Sequence, residues 1–171
     1  MNEQHRERRT TRLGIIAGSG LQQMTGLTDI EVTGFETAFG EPSSPLTLGL
    51  LDGTPVAFLQ RHGVGHTIPP ASINVRANIA ALRQAGCTQI LSLSAVGSLD
   101  ANVAPGHFVL IDQFIDRTVH RDKTFFGTGL VGHVPFGDPV CARMLDALET
   151  SAKAAEATAH KGGTYVAAHP D

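Results

Sequence analysis

Apolar and polar positions fall along this chain in short, punctuated blocks. Residues 13–17 (LGIIA) form an unbroken apolar run that ends in Gly18-Ser19-Gly20. A run of that length bounded by turn residues predicts a buried strand. Two more β runs, Leu46–Leu51 and Thr54–Gln60, flank Asp52-Gly53. That dipeptide closes two-residue hairpins because both of its positions tolerate positive φ. Pro69-Pro70 precedes a segment, 71–85, whose Ile73, Ala77, Ala80, Ala81 and Leu82 share one helical face, and Gly86 stands where a helix stops. Residues 89–94 read as a buried strand and 107–115 as a further apolar strand. A second helix is predicted over 138–159, with Asp138 as N-cap and Pro139 at the first helical position. It places Val140, Cys141, Met144, Leu145, Leu148 and Ala152 on one side. Thr164–Ala168 begins a last strand. Strands interleaved with helices predict an α/β fold.

Composition narrows this without yet giving a chemistry. At 171 residues, 42% of them hydrophobic and 17% charged, the chain has enough apolar material for one domain's core. Residues 1–12 hold four arginines, two glutamates and no aliphatic side chain beyond Met1, which predicts a disordered basic tail ahead of a domain spanning 13–171. Thirteen basic against sixteen acidic residues leave −3 overall, and the body beyond the tail is more acidic still, with nine basic and fourteen acidic. Such a body does not attract nucleic acid. The apolar runs are too short to cross a bilayer, and no signal-peptide pattern opens the chain. We therefore expect a cytoplasmic protein with no membrane partner. Two cysteines, Cys87 and Cys141, make neither a disulfide framework nor a zinc set, and both read as small buried hydrophobes.

Three glycine- and hydroxyl-bearing loops follow three predicted strands. Gly18-Ser19-Gly20 reads either as an anion cradle of backbone N–H groups and a hydroxyl or as a plain turn. It lacks the third glycine of a dinucleotide fingerprint, Gln23 standing there, and no Gly-Lys-Ser/Thr of a P-loop follows. Arg61-His62-Gly63-Val64-Gly65-His66-Thr67 offers a guanidinium fork and imidazoles for an anion, or is a surface loop. The four-residue gap between His62 and His66 would suit a metal on a helix, but Gly-Val-Gly between them argues against one, so no metal is expected. Residues 92–98 (SLSAVGS) supply a second hydroxyl wall or merely tight packing. Loops at the carboxyl ends of strands in one sheet can converge on a ligand, and convergence is the reading adopted here. Asp112 and Asp116 are expected to be structural, with Arg117 as ion-pair partner. Asn74 and Asn78, at i and i+4, are expected to hydrogen-bond near the Arg61 loop.

Taken in order, the stretches GIIAGSGL, RHGVGHTIPPASINVRANIAALRQAGC, SAVGSL and PGHFVLIDQFIDRT resemble the purine nucleoside phosphorylase family, in its 5′-methylthioadenosine phosphorylase branch. The resemblance implies a mixed twisted sheet flanked by helices, a homotrimer, and phosphorolysis of a purine nucleoside to free base and pentose 1-phosphate. 5′-Methylthioadenosine is the expected substrate. A general purine nucleoside or methylthioinosine phosphorylase, or an inactive remnant that binds phosphate or partner subunits, is the alternative. It further implies that Ser19, Arg61, His62, Ser94 and the Ala95 backbone N–H hold phosphate. His66 would lie near the ribose, and His133 would reach toward a neighbouring subunit's nucleoside. Phosphate would be a co-substrate, with no metal or organic cofactor.

The sequence departs from the family near its end. Family members continue beyond the Thr-Tyr-Val strand with a Glu-Gly-Pro-Arg-Phe segment, then a Met-Thr pair and an Asp-containing loop for the base, whereas this chain reads Ala167-Ala168-His169-Pro170-Asp171. The expectation is a domain incomplete at its C-terminus, without the acid that protonates the departing purine. Exposed apolar surface and low stability should accompany it.

Overall fold

The computed structural model describes residues 11–18 and 24–168. Ser19 and nearly all of the basic tail therefore lie outside the described residues. The chain divides into two compact units, Met1–Val96 and Gly97–Asp171.

In the first unit, strands β1 (Arg12–Ala17), β2 (Leu27–Thr33), β3 (Leu46–Leu51), β4 (Thr54–Gln60) and β5 (Cys87–Ser92) form one sheet in the order β2-β3-β4-β1-β5. Asp52 (φ 46°) and Gly53 (φ 75°) take up the positive dihedrals expected of their dipeptide, and β3 and β4 pair antiparallel through them. β1 runs parallel to both β4 and β5. The sheet is mixed, as the resemblance implies. Alternation along β4 divides the core between the two faces of the sheet. Ala57 and Leu59 join Leu46, Ala81, Leu82 and Cys87, while Val56 and Phe58 join Ile15 and Ala17.

Helix α1 (Val75–Gln84) covers the first of these faces through Ala77, Asn78, Ala81 and Leu82. It starts later than the periodicity predicts. Pro70–Ser72 forms a short 3-10 turn instead, and Asn74 caps the helix by accepting from the Ala77 N–H at 3.1 Å. The cap side chain satisfies an orphan donor that prolines could not.

The second unit holds helix α2 (Ala142–Ala154) and strands β6 (Phe108–Leu110), β7 (Gln113–Arg117), β8 (Ala159–Lys161) and β9 (Thr164–Ala168). β6 pairs parallel with β8, and β7 with β9. The single strand expected over 107–115 is thus two. The break falls at Asp112, whose carboxylate accepts the Gly163 N–H at 3.1 Å while its own N–H donates to the Gly163 carbonyl. That clasp on a glycine at φ 133° hands the chain from one partner strand to the next. α2 begins at Ala142 with Cys141 as its N-cap residue, not at Asp138, and Cys141 is exposed rather than buried. Cys87 is buried as expected, and that burial pushes its thiol pKa up. Asp116 is structural, but its partners are Lys123 (3.1 Å) and the Thr118 hydroxyl (2.6 Å) rather than Arg117. Exposed apolar side chains are numerous here, among them Phe108, Ile115, Leu130, Val131 and Phe136. No helix among the described residues is long and apolar enough to cross a membrane.

Two outcomes follow from this packing. Leu82 is fully buried between α1 and the sheet, so Leu82→Ala should cost about 2–5 kcal/mol in a denaturant titration. A loss under 1 kcal/mol would contradict that packing. Hydrogen bonds from Thr118 and Lys123 pull the Asp116 carboxyl down to about 2. Because it is lowered in the folded state, its contribution is complete above the ordinary carboxylate value near 4 and disappears as pH falls toward 2. Amide exchange across 113–123 should accelerate over that window, and Asp116→Asn should show the faster exchange already at neutral pH.

Candidate anion site

The parallel register decides which loops meet. Ala17 pairs with Gln60 and Ile16 with Ser92, so the carboxyl ends of β1, β4 and β5 lie side by side. Gly18, Arg61 and Leu93 leave the sheet from that edge. The ladder runs one step further, with the Arg61 N–H donating to the Ala17 carbonyl (3.2 Å) and the Leu93 N–H to the Ile16 carbonyl (2.9 Å).

Arg61 binds the three ends together. Its Nη1 donates to the Leu93 carbonyl at 3.0 Å and to the Ser94 hydroxyl at 2.8 Å, and its Nε donates to His62 Nε2 at 3.2 Å. His62 is buried, and its Nδ1 lies 3.0 Å from the Ile68 carbonyl. A carbonyl can only accept, so Nδ1 carries the proton and Nε2 is free to receive the Arg61 N–H. The Ile68 N–H returns to the His62 carbonyl at 2.8 Å, locking the loop around the imidazole. Ser94 is exposed, and its oxygen accepts from Arg61, which leaves its own O–H available to donate to another acceptor. Ala95 follows it, exposed, in the same segment beyond the end of β5. Together these groups present a fixed positive charge, a hydroxyl donor and a backbone edge at one place, which is the composition of an anion site.

His66, at φ 59°, sits with its ring 4.6 Å from that of His62, so the loop brings both imidazoles to the same corner. His133 lies in the second unit, exposed within the segment 131–137. The two asparagines are hydrogen-bonding groups, as expected. Asn74 Nδ2 donates to the Phe39 carbonyl at 2.8 Å, and the buried Asn78 accepts from the Ser43 N–H at 2.7 Å. They tether the 39–43 segment to α1. Sequence reading did not find the Leu93 and Ile68 carbonyls, which act through backbone and carry no residue-type signal. Among the described residues no group of three or more His, Cys, Asp and Glu could hold a metal ion. A shallow depression beside β5, lined by Ile79, Arg83 and Gln89 among others, includes none of the Arg61 cluster.

Residues 12–169 match the family model described as the phosphorylase superfamily. The S-methyl-5′-thioadenosine phosphorylase of Geobacter sulfurreducens is 50% identical over 155 residues, which is 90% of this chain and 54% of that protein. The enzyme of the same name from Koribacter versatilis is 51% identical over 154 residues, covering 90% of this chain and 53% of the relative. This chain thus spans about half the length of the curated relatives it matches. Methylthioadenosine phosphorylase from Schistosoma mansoni, solved in its apo form, superposes with a TM-score of 0.89 at 34% identity, covering 94% of this chain and 65% of that one. Its complex with adenine gives 0.88 at the same identity, covering 94% and 66%. Fold, loop order and sequence agree. The chain belongs to the phosphorylase superfamily, and within it is similar to the methylthioadenosine phosphorylases.

Proposed function

We propose that the Arg61 cluster is the phosphate-holding part of a nucleoside phosphorylase site whose substrate is 5′-methylthioadenosine. The observation that carries this is the Arg61 guanidinium, pinned at the junction of three strand ends beside the exposed Ser94. The relatives' names support the choice of nucleoside. Arg61 would hold phosphate by charge, with Ser94, the Ala95 N–H and Ser19 completing the donors. His62, which the resemblance makes a phosphate holder, would act instead by fixing the guanidinium, since both of its ring nitrogens are engaged by Arg61 and the Ile68 carbonyl. His66 would lie toward the sugar, and His133 would serve a neighbouring subunit's nucleoside.

The chemistry follows from charge. As the bond from C1′ to the purine nitrogen lengthens, its electron pair leaves with the base and the sugar becomes cationic. A phosphate dianion held against that face stabilises the cation and then forms the new C1′–O bond. The departing nitrogen takes up a proton or a hydrogen bond. Phosphate is the co-substrate, and Arg61 supplies the fixed positive charge, so the scheme uses no metal or organic cofactor. A cytoplasmic homotrimer completes the proposal. The exposed Val119, Phe126, Leu130, Val131 and Val134 support it, being apolar surface of the kind a subunit interface covers.

Free base should be released from 5′-methylthioadenosine, and more slowly from inosine, only when phosphate is present. Arg61→Ala should lower that rate by about 10²–10³-fold, the usual loss when a preorganised donor is removed from developing charge. Release without phosphate, or undiminished release by the variant, would overturn the phosphorolytic reading. Phosphate binding without any base release would reduce it to anion binding. Sedimentation velocity should give the mass of three chains, and a monomer would remove the trimer.

A further inference from the structure

We propose that Gly18 is a positioning residue for the anion site, its missing side chain providing the space in which the Arg61 guanidinium lies. A Cβ built on Gly18 would stand 2.7 Å from Arg61 Cζ and 3.1 Å from Nη1, with Nη2 nearer still. All three of its nearest neighbours would be atoms of that one guanidinium. Gly18 is buried, and it is not among the glycines held at positive φ. The backbone there accepts any residue, so conformational freedom does not explain the glycine. Space does.

The flanking ladder fixes which partner yields. Ala17 and Ile16, just before Gly18, are bonded to Arg61 and Leu93 through the backbone, whereas the guanidinium is the far end of a flexible side chain. A methyl group at position 18 would leave the strand in place and push the guanidinium aside. Its bonds to the Leu93 carbonyl, Ser94 and His62 would break together, since one rigid plane makes all of them. Fold and site are thereby separable. Gly18→Ala should keep the first and damage the second. This inference rests on the reading of Arg61 as the anion holder.

The test is a double-mutant cycle on the full chain with Gly18→Ala, Arg61→Ala and the pair, reading orthophosphate affinity by calorimetric titration and the thermal midpoint without phosphate. Gly18→Ala should melt with the parent yet bind phosphate about 10- to 100-fold more weakly, the loss expected when charge-assisted hydrogen bonds go. In the Arg61→Ala background it should cost nothing further. Parental affinity in Gly18→Ala, with Arg61→Ala impaired, would overturn the inference and leave the anion site standing. Parental affinity in both would overturn the anion site itself. A further loss in the double variant would mean that Gly18 meets the anion directly, against the proposal. If Gly18→Ala alone melts low, the double variant must recover the midpoint of Arg61→Ala, because the space is then vacant. Failure to recover would place the clash elsewhere and sink the idea.

Discussion

A guanidinium cannot shed its charge, so a protein that holds one at a strand end must give it acceptors or leave it to water. Arg61 is given three at once: a carbonyl and a hydroxyl from the segment after β5, and an imidazole beside it. Those acceptors are in reach only because β1 lies parallel between β4 and β5, with Ala17 level with Gln60 and Ile16 level with Ser92. A slip of one residue in either ladder would turn the three ends to opposite faces and dissolve the cluster. The hydrophobic faces of β1 and β4 hold that register, so the geometry of the polar site is set by apolar packing beneath it.

Much of this was legible in the residues, and the misses have physical causes. The hairpin at Asp52-Gly53, the buried run of β1 and the β run of β4 are local signals, and the structure forms all three. β2 was missed because it lies at the sheet edge, mostly exposed, with an irregular register around Asp29 that breaks its alternation. β8 is three residues long and offers no period to find. The apolar stretch 107–115 concealed a change of partner that depends on Asp112 gripping Gly163, a contact between residues far apart in sequence. At the site, the Arg61-His62 loop and the hydroxyl-bearing segment 92–98 are legible from residue type, Ser94 is singled out by the resemblance, and the three side chains come together as expected of convergent loops. Gly18 was noticed for what glycine permits in its own backbone. Its relevance lies instead in what stands where its side chain would be, and no local pattern records that.

The two units are built to different standards. The first closes two apolar layers over its sheet, with Leu46, Leu59 and Leu82 fully buried. The second relies on polar clasps: Asp112 with Gly163, Asp116 with Thr118 and Lys123, and Lys161 between Asp146 and Glu149 on α2. Exposed ion pairs of this kind contribute little each. The candidate anion site stands on the better-packed unit, where a displacement of a few tenths of an ångström is resisted by a close-packed core.

One consequence of the Arg61 arrangement concerns rate. Among the described residues its hydrogen-bond partners are a carbonyl, a hydroxyl and an imidazole, so no carboxylate cancels it at close range. The cation stands at the carboxyl end of the interior strand β4, in a chain whose formal charge is −3. Small anions are repelled by the net charge of the chain and attracted within about a Debye length, 8–10 Å at ordinary ionic strength, of this cation. Added salt then acts in two opposing directions, weakening both the distant repulsion and the local pull. Capture at the strand ends becomes a balance between them, with an encounter rate far flatter against ionic strength than a uniformly basic cleft would give.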